Sequence, residues 1–221
     1  MRAILIGATG LIGTALLDKL LQAPLFTHVK LISRRPTGIR HSKLEEVLVD
    51  FEDEASFRQA VTGAEVLFCC VGTTRKKVNG DTAAYRKVDF DIPVKAATYC
   101  AEQLVSKFIL VSSVGAYAAS NNFYLRLKGE TETAVLGKSI PIVYIMRPSI
   151  LLGKRNEPRP GEIFGKWVMQ FASVFLAGST SKYKAIYANE VAEAMLAAAA
   201  KTSTGKFICH YREMMDLIGK K

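Results

Sequence analysis

The seven residues Gly7-Ala-Thr-Gly10-Leu-Ile-Gly13 constrain the fold of this chain more than any other stretch. They follow the short apolar run Arg2-Ala-Ile-Leu-Ile6 and lead into Thr14-Ala-Leu-Leu-Asp-Lys-Leu-Leu21, whose apolar spacing is helical. A strand must therefore turn at once into a helix, on three glycines. The first glycine lets the backbone leave the strand at a torsion other residues resist. The second removes a side chain where a ligand approaches, and the third lets the new helix pack closely on its strand. A helix begun this way presents unpaired N–H groups and the positive end of its dipole, which suits a pyrophosphate. The spacing is G-x-x-G-x-x-G, not the commoner G-x-G-x-x-G, and its place between strand and helix is what gives it weight.

Downstream, short apolar runs alternate with helical ones. Strands are expected at 29–33, 46–50, 65–71, 107–112, 142–146 and 206–210. Helices are expected at 54–60, from Asp91 and Pro93 to about Gln103, from near Phe123, at 164–175 and at 188–200. This alternation requires right-handed crossovers and a parallel sheet. The expected architecture is α/β: a Rossmann-like doubly wound parallel sheet forming a single domain, 1–221. A small C-terminal substrate-facing part is expected at 149–183, where the pattern loosens around Pro158, Pro160, Gly161 and Gly178.

With 49% of 221 residues apolar, the chain can fill a core without disulfides or metals. Cys69, Cys70, Cys100 and Cys209 fall within expected strands or a helix and show no metal-ligand spacing, so they read as buried thiols in a reducing compartment. No metal site is expected. Arg2 before an apolar run mimics a signal peptide, but the glycine pattern and Asp18-Lys19 argue against one. The longest later apolar run, 167–177, contains Gln170 and is too short to span a bilayer. The expectation is a cytoplasmic protein that does not enter a membrane. The net charge is +10, yet no basic run exceeds Arg75-Lys76-Lys77 and there is no basic tail. Attraction of an anionic cofactor explains that charge better than nucleic-acid binding, and no nucleic-acid partner is expected.

The carboxyl ends of the expected strands supply the candidate cofactor contacts. After the second strand stand Arg34 and Arg35, with no acid to receive a ribose diol. Guanidinium groups there suit a 2′-phosphate, which points to NADP(H) over NAD(H), with Arg34 the better placed. After the third strand, Asp50 could accept from an adenine amino group with Phe51 beside the ring. Alternatively Asp50 caps the helix at 54–60, a role that Asp53 would serve better. After the fourth come Cys70, Val71, Gly72, Thr73 and Thr74, and after the sixth Arg147 and Pro148, which would help to place the nicotinamide. In the glycine loop the candidates are Gly7, Thr9, Gly10, Leu11, Ile12 and Gly13. Arg155 and Arg159 could meet an anionic group on a substrate.

The candidate catalytic residues are Ser113, Tyr124 and Lys128. Tyr124 and Lys128 are four residues apart on one helix, so they project from the same face. A phenol of ordinary pKa near 10 is a poor acid–base group at neutral pH. A cation fixed one turn away favours the phenolate and brings that value toward the working range. Ser113 ends the fifth strand on the rim that carries the glycine loop, where its hydroxyl can hold a substrate oxygen in line with the phenol. Lys128 and Tyr124 are also candidates to touch the cofactor.

Gly7-Ala-Thr-Gly-Leu-Ile-Gly13, Val111-Ser-Ser113 and Tyr124-x-x-x-Lys128 together resemble the short-chain dehydrogenase/reductase superfamily, in its atypical or extended branch. A closer resemblance, to the Tat-interacting-protein oxidoreductases and their bacterial relatives, rests on four further motifs. These are Ser33-Arg-Arg35, Val49-Asp-Phe-Glu52, Phe68-Cys-Cys-Val-Gly-Thr-Thr-Arg75 and Arg159-Pro-Gly-Glu162. The resemblance implies NADPH binding and a Ser-Tyr-Lys centre, with Tyr124 as proton donor and Lys128 on the nicotinamide ribose. Where many members of the superfamily carry an asparagine after the fourth strand, this chain has Val88-Asp89, which puts the usual water-mediated proton relay in doubt or gives it a carboxylate. The segment 149–183 is also too short for the roomy nucleotide-sugar pocket of the epimerases. The function expected is hydride transfer to or from a small carbonyl or alcohol substrate. The alternative is an NADP(H)-binding regulator, like the NmrA-like relatives, with little or no turnover. An oligomer is compatible with either.

Overall fold

The computed structural model describes residues 1–152 and 180–220. β1 (Arg2–Ile6) lies inside a seven-stranded sheet, and its four residues after Arg2 are all buried. A parallel strand covered on both faces reads as a continuous apolar run and not as an alternating one. β4 (Val66–Cys69) and β6 (Ile142–Met146) obey the same rule. With β2 (His28–Ser33), β3 (Leu44–Leu48), β5 (Lys107–Val111) and β9 (Gly205–Cys209), the order is β3-β2-β1-β4-β5-β6-β9, parallel throughout. This is the expected Rossmann-like doubly wound sheet. Beyond it, β7 (Leu151–Leu152) and β8 (Ile186–Tyr187) form a small parallel pair that no sequence pattern announced.

Helices cover both faces. α1 (Leu11–Gln22), α6 (Ala188–Ala200) and α7 (Tyr211–Leu217) share one apolar cluster with inward residues of the sheet. α2 (Glu54–Ala60), α4 (Ile92–Glu102) and α5 (Phe123–Leu136) close the other face. α6 buries a stripe of alanines, which lets it approach α1 closely, and Lys19 and Glu193 bridge the two helices at 2.9 Å.

Ile6 stands opposite both Ile32 and Cys69, Val111 opposite Met146, and Met146 opposite Cys209, so the carboxyl ends of the strands form one rim. The chain leaves β1 toward β2 on one side and reaches β4 on the other. The carboxyl ends of β1 and β4 therefore diverge into a crevice, where ligands of such sheets bind.

Three local differences from the sequence expectation bear on the site. The third strand runs over Leu44–Leu48, in register with Val29 to Ser33, so Asp50 lies past its end. The apolar run that suggested 46–50 includes Val49, a core residue whose N–H still donates to the Ser33 carbonyl of β2 at 2.9 Å. A short helix, α3 (Thr82–Arg86), capped by the Asp81 carboxylate, comes before α4. Between them Lys87–Asp91 forms a single π-helical turn, so the helix expected from Asp91 begins at Ile92. The helix expected at 164–175, and Arg155 and Arg159, lie outside the described residues. Among the described residues no helix is long and apolar enough to cross a membrane.

Candidate functional site

The glycine loop is shaped by its contacts. Gly7 has φ +90°, and a side-chain carbon there would lie 2.6 Å from the Cys70 carbonyl carbon. At Gly13 such a carbon would lie 2.1 Å from the Gly7 oxygen, so only glycine lets α1 close on the turn. The Gly10 N–H donates to the Gly7 carbonyl at 3.2 Å, and the Thr14 hydroxyl donates to the Ala8 carbonyl at 2.8 Å. Gly10 caps α1 without a side chain. Thr9 and Gly10 are exposed, Leu11 is half-buried and Ile12 belongs to the core. The cradle thus leaves backbone N–H groups at a helix start with no Cβ in front of them, which fits a dinucleotide diphosphate.

At the end of β2, Arg34 and Arg35 are both exposed. The loop that carries them is tied from below. Glu46 on β3 accepts from the Thr37 N–H at 2.8 Å and from the Ser33 hydroxyl at 3.3 Å. Hydrogen bonds from Thr37 hold the Glu46 carboxyl below the usual carboxylate range. A cavity of about 270 Å³ beside this loop is lined by Arg34, Leu48, Val49 and Asp50. Asp50 is exposed and accepts from the Glu52 N–H at 3.0 Å, while Asp53 caps α2 through Ala55 and Ser56. Phe51 is packed edge-on against Phe57, 4.8 Å between centroids, as part of the core.

The segment after β4 joins this cradle to α5. Cys70 and Val71 back onto Gly7, and Gly72 and Thr73 lie against Asp89. The Thr73 N–H donates to Oδ2 of Asp89 at 2.7 Å, and the Tyr85 hydroxyl donates to the Thr73 carbonyl at 3.2 Å. Oδ1 of Asp89 stands 2.9 Å from Nζ of Lys128. Burial opposes the charge on Lys128, but the Asp89 carboxylate and the Tyr124 phenol outweigh it and hold the ammonium above the ordinary lysine range. Burial pushes the neighbouring Cys69 thiol up to about 12, which leaves it inert.

Tyr124 is half-buried in the first turn of α5, with Lys128 Nζ 6.0 Å from its ring centroid. The loop from Ser113 folds back onto α5: the Tyr117 N–H donates to the Leu125 carbonyl at 3.0 Å. Gly129 permits this approach, since a side-chain carbon there would fall 2.2 Å from the Ala118 nitrogen. Ser113 is half-buried, and its hydroxyl donates to the Val114 carbonyl at 3.3 Å. The next N–H, of Val114, is held by the Pro148 carbonyl at 3.0 Å. Arg147 has its guanidinium on Glu132, with Nε 3.0 and 3.1 Å from the two carboxylate oxygens, and Ser112 donates to the same carboxylate. The Arg147 N–H in turn donates to the Cys209 carbonyl at 2.8 Å.

Six polar or charged side chains are buried among the described residues, and five of them, Asp89, Ser112, Lys128, Thr131 and Glu132, gather on this face of α5. Glu132, Glu46 and Gly129 were missed in the sequence. Glu132 had a readable signal, because it continues the four-residue row of Tyr124 and Lys128. Glu46 and Gly129 act through loops folded onto them and gave none.

The family model for NAD(P)H-binding proteins matches residues 7–157. The rat (Rattus norvegicus) protein HTATIP2 is 37% identical over 161 residues, a match that spans 72% of this chain and 66% of the rat protein. FMP52 of Debaryomyces hansenii, designated mitochondrial and not cytoplasmic as expected of this chain, is 35% identical over 173 residues, covering 76% of this chain and 75% of its own. Among solved structures, UDP-glucose 4-epimerase of Thermus thermophilus, in complex with NAD, superposes with a TM-score of 0.69 at 19% identity, covering 100% of this chain and 84% of the enzyme. That likeness is one of fold. The glycine cradle, the strand order and these matches agree, and the chain belongs to the NAD(P)H-binding family, as a Rossmann-like homologue of the HTATIP2 and FMP52 proteins.

Proposed function

We propose that this protein is an NADPH-dependent oxidoreductase that transfers hydride to or from a small carbonyl or alcohol substrate through Ser113, Tyr124 and Lys128. The observation that supports it best is Tyr124, half-buried one helical turn from a buried, charged Lys128, beside a loop tied into the glycine cradle. On this reading the cradle and Thr73 seat the dinucleotide, and Arg34, aided by Arg35, meets the 2′-phosphate. NADPH, when bound, supplies the hydride. Tyr124 gives its phenolic proton to the carbonyl oxygen as that oxygen becomes an alcohol, and takes it back in the reverse direction. Ser113 aligns the same oxygen, and Lys128 steadies the ribose and the phenol.

The rival reading is an NADP(H)-binding regulator with little turnover. It is favoured by the pairing of Lys128 with Asp89, since that cation is already compensated. A panel of small carbonyl compounds, followed by loss of NADPH absorbance, separates the two. Tyr124→Phe is expected to bind NADPH like the wild type and lose about 10²–10⁴-fold in turnover. Tight NADPH binding with no turnover on any substrate would establish the regulator, and normal rates in Tyr124→Phe would remove the Ser-Tyr-Lys assignment.

A further inference from the structure

We propose that Asp89 is the positioning residue of this centre: its one carboxylate fixes the Lys128 ammonium and ties it to the loop that follows β4. The proposal rests on the reading of Lys128 as part of the reacting centre. Its two bonds use different oxygens, Oδ1 to Lys128 Nζ at 2.9 Å and Oδ2 to the Thr73 N–H at 2.7 Å, so neither competes with the other. Asp89 is 1% exposed and Lys128 7%, and a carboxylate this deep is tolerated only when paired and hydrogen-bonded.

The backbone carries the same design. Asp89 sits in the π-helical turn Lys87–Asp91, a distortion that is rare and re-aims side chains. The Thr131 hydroxyl, one turn beyond Lys128 on α5, lies 3.0 Å from the Asp89 carbonyl. α5 therefore grips the π turn at two points, through Lys128 and Thr131. The bond to Thr73 extends the pair into a segment whose preceding residues, Cys70 and Val71, back onto Gly7. A single carboxylate thus joins the cofactor cradle to the candidate catalytic amine.

Among the described residues, the groups around the Lys128 amine are Asp89 on the π turn, Tyr124 on α5, Tyr85 on α3 and the Cys69 thiol on β4. Asp89 is the one carboxylate among them. Its replacement by asparagine leaves an acceptor for Thr73 and removes the counter-charge of a buried lysine, whose ammonium should then titrate early.

The test is NMR of the full chain without cofactor, with lysine labelled at the ε-carbon and the Lys128 signal assigned by its loss in Lys128→Met. In the wild type Lys128 should remain protonated past the ordinary lysine value of about 10.4, and in Asp89→Asn it should titrate at least about one pH unit below it. Amide exchange at Thr73 should be slow in the wild type and in Asp89→Asn, and at least about tenfold faster in Asp89→Ala. Equal Lys128 titration in the wild type and Asp89→Asn, or unchanged Thr73 exchange in Asp89→Ala, would overturn the proposal. Should Asp89→Asn not fold, the double variant with Lys128→Met, which removes both charges, is expected to fold with slow Thr73 exchange. Failure of that variant also counts against the proposal. None of these readouts needs NADPH, so a protein that binds or turns over no cofactor would end the oxidoreductase reading and leave this link standing.

Discussion

At the β2 end of the crevice Arg34 and Arg35 stand exposed, whereas at the α5 end Lys128 and Arg147 are each closed onto a carboxylate, Asp89 and Glu132. Both ends use cations, but for different work. An exposed guanidinium waits in water for an anion and contributes when one arrives, so it sets affinity and choice of ligand. A buried pair is complete before any ligand comes, so it fixes geometry and its loss is felt by the fold. Mutations should separate the two ends accordingly.

The largest expected effect lies at the buried end. Glu132→Ala leaves the Arg147 guanidinium without its partner and the Ser112 hydroxyl without its acceptor. It should cost about 3–5 kcal/mol of stability, read as a lower denaturation midpoint in urea. A loss near zero would show that water can replace the carboxylate and that the two ends do not differ in kind.

At the exposed end, Arg34→Ala should leave stability unchanged and weaken NADPH binding. One charge-assisted bond is worth about 1.5–3 kcal/mol, which corresponds to roughly a 10- to 150-fold rise in Kd. NADH, which has no 2′-phosphate, should bind nearly as before, and Arg35→Ala should repeat the pattern more weakly. Titration of both reduced cofactors at fixed salt checks this. Equal losses for the two would mean that the arginines serve the loop and not the phosphate.

The smallest effect is expected at His210, which follows β9 near Arg147. Burial first, and then the charges of Arg147 and Lys182, hold its imidazole below the ordinary value of 6.5. The unfolded chain therefore takes up this proton before the folded one does. The contribution is absent above pH 6.5 and becomes destabilising as pH falls below it toward the folded value. A proton NMR titration should place His210 below about 6.5, and His210→Asn should flatten a small part of the stability loss between roughly pH 7 and 5.5. A midpoint at or above 6.5 would mean that neither burial nor these charges depress His210.

The sequence disclosed the local patterns of the crevice more fully than its long-range ties, and the reason is physical. The glycine spacing, the apolar runs of β1, β4 and β6 and the Tyr124–Lys128 spacing are local patterns, each set by the geometry of a single element. Asp89 could be suspected from Val88-Asp89 alone, but its pairing with Lys128 depends on a π turn, which no periodicity marks. Phe51, expected beside an adenine ring, packs into the core, because Phe57 on α2 supplies its partner. Glu46 gave no local signal, because it ties the arginine loop through Thr37, nine residues away on the chain.

The close approach of Gly7 to Cys70 and Val71 also sets an order of events in folding. The glycine loop is made early, but its shape is defined against backbone that belongs to the end of β4. Ala3 pairs with Val66, so that contact cannot close before the whole of β2, β3 and α2 between them has been synthesised. Long-range parallel pairing is intrinsically slow, because loop-closure entropy must be lost before the contacts form. A nascent chain that has emitted only its first strands therefore has the glycines but not the cradle, and cofactor capture should begin no earlier than the docking of β4.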